Sequence, residues 1–368
     1  MEDKMIRVGI THGDTNGIGY ELIFKTFADP AMFELCTPIV YGSPTAAVYH
    51  RKMLGIETNF TIIDKAEDAR PGQLNILVTT DGEVKIDMGT PTLESGEAAL
   101  KAIDKALEDW QAGLYDVLVT APVSKEAISN VSPGFTGHTG YIARRIGGGE
   151  PLMILFNGSL RVALVTTHVA IKDVSECITK DAVLRKAKLL YASLLRDFRI
   201  CAPRIALLAL NPHAGDNGVI GDEEQSIIKP AMEEIEKAGV TAFGPYPADG
   251  FFGSGMFRSF DGVLAMYHDQ GLAPFKALAG SEGVNVTAGL PIVRTSPDHG
   301  TAYDIAGRGV ADETSFRHAI YAAIDIYRNR KTYDEPLANP LHKLYHEKKD
   351  ESTSRSPIPP KAARMTNE

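Results

Sequence analysis

Aliphatic and β-branched residues recur in short runs that alternate with amphipathic segments along most of the chain. The short runs predict strands over residues 7–11, 117–120, 153–156, 162–167, 205–210 and 263–266. The amphipathic segments predict helices over residues 20–27, 94–112, about 180–197, about 222–238 and about 313–328. Ser43 followed by Pro44 marks the start of a further helix, because serine caps a helix and proline suits its first position.

The alternation of strands and helices predicts an α/β protein with a mostly parallel sheet. Ligands bind such sheets beyond the carboxyl ends of the strands, so the loops after the strands are where functional residues are expected. With 368 residues, the chain is long enough for two domains or for one large α/β unit divided by a cleft.

The composition is that of an ordinary globular protein, with 44% apolar and 23% charged residues. A net charge of −9 and the lack of a basic stripe argue against nucleic-acid binding. No apolar run approaches the roughly 18–20 residues that cross a bilayer. Three widely spaced cysteines without a C-x-x-C pair argue against a disulfide framework. We therefore predict a cytoplasmic enzyme without a signal peptide or membrane segment, ending in a flexible tail over residues 347–368.

Histidines follow three of the predicted strands. His168, His213 and His268 lie 45 and 55 residues apart, and in a parallel sheet the strand ends could bring them to one point. Three neutral imidazoles suit Zn²⁺, Co²⁺ or Ni²⁺ with positions left open for substrate. The alternative is that each is a hydrogen-bonded loop residue, and the spacing alone leaves both interpretations open.

Two other groups of polar residues are candidates for anion binding. Lys276, Asn285 and Arg294 lie in a glycine-rich stretch, and lysine and arginine are the usual ligands of phosphate and carboxylate groups. His138 and Thr139 follow Gly137, where the backbone can approach a ligand closely. Solvated loop cations and an ordinary turn are the alternatives. No G-x-G-x-x-G follows a strand, so a dinucleotide would need a binding mode other than that of the Rossmann fold.

Several longer motifs resemble those of one enzyme family. The motifs are LNPHAG (210–215), MYHDQG (266–271), TGHT (136–139) and RTSPDHGTA (294–302). They closely resemble the 4-hydroxythreonine-4-phosphate dehydrogenases of vitamin B6 biosynthesis, and the resemblance extends over residues from about 6 to 330. The stretch from His299 to Ala311 is also similar to the adenine-side loop of isopropylmalate and isocitrate dehydrogenases.

The resemblance implies a fold like that of isocitrate and isopropylmalate dehydrogenases, with two α/β/α domains around a cleft and mostly parallel sheets. The cofactor-side domain would be discontinuous, formed by residues 1–130 and about 290–340. Residues from about 131 to 289 would form the metal-binding, substrate-binding and dimerisation domain. The family's site lies at the interface of a homodimer, so we expect ligands from both subunits.

The resemblance also implies roles for individual residues. His168, His213 and His268 would bind one divalent ion, Zn²⁺, Co²⁺ or Mg²⁺. The expected substrate-binding residues are His138, Thr139, Lys276, Asn285 and Arg294. Lys276 and Asp249 are the candidates for catalysis. NAD or NADP would bind at His299, Gly300, Thr301 and Ala302.

The implied reaction is oxidation of 4-phosphooxy-L-threonine to a β-keto acid, which loses CO₂ to give 3-amino-2-oxopropyl phosphate. A dehydrogenase of 4-phospho-D-erythronate or 4-phospho-D-threonate is the close alternative. A phosphate acyltransferase and a non-catalytic phosphometabolite sensor are alternatives of other classes. The chain departs from the commoner family pattern at His12 and Asp14, where the family usually has Pro and Glu, and at Gly140, commonly Glu. The loss of a carboxylate at position 140 leaves the choice of substrate open.

Overall fold

The computed structural model describes residues 5–135 and 137–340. The flexible tail predicted for residues 347–368 lies outside the described residues. The strands are β1 (Ile6–Thr11), β2 (Cys36–Gly42), β3 (Phe60–Ile63), β4 (Leu74–Val78), β5 (Val117–Thr120), β6 (Leu152–Asn157), β7 (Leu160–Leu164), β8 (Ile205–Leu208), β9 (Ala242–Tyr246), β10 (Gly262–Ala265), β11 (Val284–Ala288) and β12 (Arg294–Pro297).

Helices fill most of the connections between these strands. They are α1 (Gly19–Thr26), α2 (Met32–Leu35), α3 (Pro44–Leu54), α4 (Leu93–Gln111), α5 (Lys125–Val131), α6 (His138–Ile146), α7 (Val174–Cys177), α8 (Lys180–Arg196), α9 (Lys229–Lys237), α10 (Ala248–Gly253), α11 (His268–Ala279) and α12 (Thr314–Ala338). The α/β prediction is confirmed. In the described part of the chain, no helix is long and apolar enough to cross a membrane.

Local sequence signals explain where several helices begin. The Ser43 side chain accepts a hydrogen bond from the backbone amide of Ala46, as expected for a helix cap, and Pro44 opens α3. Thr92 and Ser95 form a reciprocal capping box at the start of α4. The apolar face predicted for α4 is buried at Ala99 and Ile103, so this helix packs on the sheet as its periodicity indicates.

Among the described residues the strands form one continuous sheet in the order β3-β4-β2-β1-β5-β12-β11-β6-β7-β10-β8-β9. Neighbouring strands are parallel except for the pairs β12–β11, β11–β6 and β6–β7. Three successive antiparallel pairings reverse the direction, so the parallel strands on the two sides of this junction run in opposite directions. The expected pair of mostly parallel sheets is therefore joined through a short antiparallel centre.

The last helix packs across this centre. α12 contacts β5, β11 and β12, and its buried side chains include Phe316 and Ile320. The prediction that this helix ends near residue 328 is wrong, because α12 continues to Ala338. The buried Arg330 guanidinium in the added turns donates to the Asp197 carboxylate at 2.6 Å and to two backbone carbonyls, which holds the helix against the end of α8.

Two predicted strands end earlier than the sequence pattern indicates. β8 stops at Leu208 rather than at residue 210, since the Glu224 carboxylate accepts the backbone amides of Leu210 and Asn211, both at 2.8 Å. β7 covers Leu160–Leu164 instead of 162–167. The polar residues after these strands therefore sit on short loops rather than directly at strand ends.

Candidate functional site

A cavity of about 620 Å³ opens at the antiparallel centre of the sheet, within the range of small-molecule sites. Its walls come from both sides of the junction: the loop after β5, the start of α6, the loop after β7, the start of α11, and the strands β11 and β12. Nine of the sequence-predicted site residues line it. They are His138, Thr139, His168, His268, Lys276, Asn285, Arg294, His299 and Gly300.

Arg294 forms a buried positive charge in the cavity wall. Its side chain is 3% exposed and donates to the hydroxyl groups of Thr120 and Thr287 rather than to a carboxylate. Burial lowers the pKa of the guanidinium to about 9, so the group stays charged at neutral pH. A buried cation held by neutral groups favours an anionic ligand, which would supply the missing countercharge.

Polar atoms beside Arg294 are also free to bind a ligand. His138 is the first residue of α6, and its pKa is far below the usual range because of burial and then the nearby charges of Arg294 and Lys125. Within residues 5–135 and 137–340, neither His138 Nε2 nor Asn285 Oδ1 has a hydrogen-bond partner although both are buried. Unpaired buried polar atoms are costly, so their presence here indicates a site that a polar ligand completes.

The other end of the cavity holds two imidazoles. The ring centres of His168 and His268 lie 6.1 Å apart, and metal–nitrogen bonds are about 2.1 Å long, so the two rings can share one ion. His268 Nδ1 lies 2.6 Å from the Asp269 carboxylate, an arrangement that orients metal-binding histidines and leaves Nε2 free. Burial, then Lys125 and His268, lowers the pKa of His168 and favours the neutral form that binds metals.

The remaining predicted residues lie elsewhere. His213 is exposed on the segment after β8, with a left-handed backbone (φ 52°), and Asp249 is exposed on α10. Neither residue lines the cavity. Across the described chain, no group of three or more His, Cys, Asp or Glu side chains is placed to hold a metal ion. One copy of the chain therefore brings together two of the three predicted ligands.

Lys276 and the loop after β12 form the rim. Lys276 Nζ donates to the backbone carbonyl of Asp298 at 2.8 Å, which ties α11 to the loop after β12. His299 and Gly300 face the cavity, whereas Thr301 and Ala302 lie further along the loop, outside its lining. The Thr301 carbonyl accepts the backbone amide of Ile18 at 3.2 Å.

With this geometry established, comparison with known proteins identifies the family. The family model described as "Pyridoxal phosphate biosynthetic protein PdxA" matches residues 34–323. The chain belongs to the PdxA family. A curated relative from Bacteroides thetaiotaomicron, named 4-hydroxythreonine-4-phosphate dehydrogenase, is 56% identical over 353 residues, covering 96% of this chain and 97% of the relative.

Further relatives of the same name agree with this assignment. The protein from Prosthecochloris aestuarii is 43% identical, covering 87% of this chain and 97% of that protein. The crystal structure of 4-hydroxythreonine-4-phosphate dehydrogenase from Klebsiella pneumoniae has a TM-score of 0.77 and 32% identity, covering 89% of this chain and 99% of that one. The predicted family is thus confirmed, and the fold is that of a solved PdxA-family enzyme.

Lys125 lines the same PdxA-family cavity, and the sequence analysis did not single it out. It is the first residue of α5, and its ammonium lies 3.2 Å from His168 Nε2. The available signal was its position in the loop after β5, the same kind of strand exit that drew attention to the histidines. Lys186 also lines the cavity, but it forms an ion pair with Glu150 at 2.8 Å.

Proposed function

We propose that this PdxA-family protein oxidises 4-phosphooxy-L-threonine with NAD or NADP, in the biosynthesis of pyridoxal phosphate. The secondary alcohol loses a hydride to the nicotinamide and a proton to the protein or solvent. The resulting β-keto acid loses CO₂ to give 3-amino-2-oxopropyl phosphate. The observation that carries this proposal is one cavity with a buried, carboxylate-free arginine at one end and two adjacent imidazoles at the other.

The Arg294 end is suited to the phosphate. Arg294 supplies charge and a fork of N–H donors, and the first turn of α6 presents His138 and Thr139 beside it. Asn285 adds an amide from β11. These groups would hold the phosphate through the reaction, so that its binding energy positions the carbinol carbon for hydride transfer.

The His168 end is suited to the reacting alcohol. His168 and His268 would hold a divalent ion, with Zn²⁺, Co²⁺ or Mg²⁺ as candidates, and such an ion lowers the pKa of an alcohol bound to it. Lys125 lies beside His168 and would bind the substrate carboxylate or stabilise negative charge developing on the substrate oxygens. Lys276 at the rim is the candidate for proton transfer. Asp249 could take part only through another copy of the chain, given its position outside the cavity.

The cofactor would bind along the loop after β12. His299 and Gly300 already face the cavity, and Thr301 and Ala302 continue the same loop. The nicotinamide cofactor would then lie on the side of residues 1–130 and 290–340, and the substrate and metal on the side of residues 131–289. We retain this division as the proposed domain organisation.

The third metal ligand would come from a second copy of the chain in a homodimer. His213 is exposed, and the apolar side chains of Val219 and Ile171 are 81% and 71% exposed. Exposed apolar side chains of this kind favour burial against another subunit. A two-fold interface would then complete two equivalent sites.

Gly140 favours a second candidate substrate. It lines the cavity directly after His138 and Thr139, and its lack of a side chain leaves no carboxylate there for the C2 ammonium group of an amino-acid substrate. A hydroxyl at C2, as in 4-phospho-D-erythronate or 4-phospho-D-threonate, needs no such partner. The oxidation and decarboxylation chemistry would be unchanged.

A substrate panel tests the function. Purified protein is assayed for NADH or NADPH formation with 4-phosphooxy-L-threonine, 4-phospho-D-erythronate and 4-phospho-D-threonate, each with Zn²⁺, Co²⁺ or Mg²⁺. The proposal requires the highest kcat/KM with the amino substrate. Preference for a hydroxy substrate would support the second candidate. Absence of reduced cofactor with every substrate would contradict both.

A further inference from the structure

Asp14, in the loop between β1 and α1, is a buried carboxylate that the proposed reaction does not use. It is 1% exposed. It accepts hydrogen bonds from three uncharged donors: the backbone amide of Asn16 at 2.8 Å, the Ser95 hydroxyl at 3.1 Å and the Tyr303 hydroxyl at 2.8 Å. Burial raises its pKa while these donors oppose that shift. Through these bonds the buried carboxylate connects the β1–α1 loop to α4 and to the loop after β12.

Tyr303 links this carboxylate to the loop after β12. We call residues 298–313 the cofactor loop, because the proposed cofactor-binding residues His299–Ala302 belong to it. Residues 298–313 contain neither helix nor strand, although His299 and Gly300 from this segment line the cavity. An irregular segment of this length has no hydrogen-bond ladder of its own, so its shape depends on contacts with its surroundings.

The two ends of this loop are each held by a contact of their own, the first at the cavity rim and the second on α1. Near its start, the Asp298 backbone carbonyl accepts from Lys276 at 2.8 Å. Near its end, the Ala311 backbone bonds to the side chains of Glu21 and Lys25 on α1. These contacts fix where the loop begins and ends, and they leave the position of its middle to other interactions.

The middle of the loop is tied to the β1–α1 loop. The Thr301 carbonyl accepts the Ile18 amide, and two residues later the Tyr303 hydroxyl donates to Asp14. Asn16 extends the connection, because its side-chain amide donates to the Thr90 carbonyl and to the Thr92 hydroxyl at the start of α4. The loop is thereby joined to a rigid helix start through the β1–α1 loop.

We propose that Asp14 and Tyr303 are positioning residues that hold the cofactor loop in the conformation that binds the nicotinamide cofactor. This inference rests on the proposed function, since it assigns cofactor binding to His299–Ala302. Without the Tyr303 hydroxyl, the loop between Asp298 and Ala311 would sample a wider range of positions. Cofactor affinity would fall because binding would have to order the loop, while the phosphate site at Arg294 would be unaffected.

The test compares Tyr303→Phe, Asp14→Asn and the double variant with wild type, using direct NADH binding by fluorescence and steady-state kinetics. Each single variant should raise the NADH Kd and the KM for NAD by about fivefold to twentyfold, with the KM for phosphorylated substrate within about twofold. Because both changes remove the charge-assisted hydrogen bond between Tyr303 and Asp14, the double variant should bind cofactor no more weakly than the weaker-binding single variant. Additive losses would overturn the proposal.

Ser95→Ala is the matched control. Ser95 donates to the same oxygen of Asp14 from α4, but it does not touch the loop. Its loss should lower the melting temperature through the α4 capping box and leave the KM for NAD within about twofold. If Ser95→Ala and Tyr303→Phe weaken cofactor binding equally, Asp14 acts only in stability and the proposal fails.

Hydrogen–deuterium exchange separates this inference from the proposed function. In Tyr303→Phe, peptides covering residues 299–308 should exchange faster than in wild type, while peptides from β5 and α12 should not. If wild type forms no reduced cofactor, the proposed function fails and loop positioning is judged by exchange alone. If wild type is active but the exchange rates and the KM for NAD of Tyr303→Phe match wild type, the positioning role is refuted.

Discussion

The Lys125 ammonium lies 3.2 Å from His168 Nε2, in the cavity that Arg294 also lines. Lys125 Cε also passes close to Gly137, where an added Cβ would lie 3.4 Å from it. The lysine thus contacts His168, one of the proposed metal ligands, and passes beside the residue that precedes His138, one of the proposed phosphate ligands.

Replacement of Lys125 should therefore impair turnover. Lys125→Gln keeps length and polarity but removes the charge, and a charge-assisted hydrogen bond contributes about 1.5–3 kcal/mol, so kcat/KM should fall about tenfold to a hundredfold. Lys186→Gln is the control, because Lys186 lines the same cavity but is neutralised by Glu150. Steady-state assays in which both variants lose activity equally would exclude a specific role for Lys125.

Arg294 should determine affinity for the phosphate group. Arg294→Lys keeps a positive charge but loses the fork of donors, and we expect a KM for phosphorylated substrate at least about tenfold higher with a smaller change in kcat. The unphosphorylated hydroxy amino acid is the control substrate, for which the two proteins should differ little. An unchanged KM for the phosphorylated substrate would remove Arg294 from the phosphate site.

Mixing two inactive variants tests the shared metal site. His213→Ala and His268→Ala should each lose metal binding and activity while remaining folded. If each site combines His268 of one chain with His213 of the other, dimers formed after mixing contain one intact site of two. Random exchange would then restore about a quarter of wild-type activity. No recovery after confirmed subunit exchange would place the whole site within one chain, against the proposal.

His12 should make folding stability depend on pH. It is fully buried and stacked on Tyr20 with ring centres 5.3 Å apart, and burial lowers its pKa from 6.5 to about 4. The unfolded chain therefore binds a proton more readily than the folded one below pH 6.5. Stability attributable to His12 is present above that pH and is lost as the pH falls, by about 2 kcal/mol between pH 7 and 5.

Urea unfolding at both pH values measures this loss. His12→Phe keeps a ring against Tyr20 and cannot be protonated, so its free energy of unfolding should change less between pH 7 and 5 than that of wild type. His50, also buried with a lowered pKa, remains in both proteins and accounts for part of the residual slope. Equal slopes for the two proteins would show that His12 does not contribute.

The sequence analysis identified residues of the cavity more successfully than it identified the strands of the sheet. His168 and His268 meet because each follows a buried strand of the same parallel block, so local patterns were sufficient. Asn285 and Arg294 were recognised as polar residues in a glycine-rich stretch, but the strands that carry them, β11 and β12, were not expected. β12 (RTSP) is largely polar and β11 (VNVTA) carries Asn and Thr, so neither strand forms the apolar run that marked the predicted strands, and antiparallel pairing depends on distant partners.

The position of His213 shows a second limit of prediction from the sequence. Its strand, β8, lies next to β10 in the sheet, so a histidine after it was expected beside His268. The segment 213–217 instead adopts left-handed backbone angles, which direct the chain away from the cavity. Single-sequence patterns do not reveal such a turn.

The antiparallel strands at the centre of the sheet also limit how substrates can enter. β12, β11, β6 and β7 form an unbroken hydrogen-bonded ladder beneath the cavity, so its two walls cannot swing apart as independent bodies without breaking that ladder. Any movement of one wall relative to the other must therefore twist these few strands, and otherwise the rim loops must be displaced for a ligand to enter.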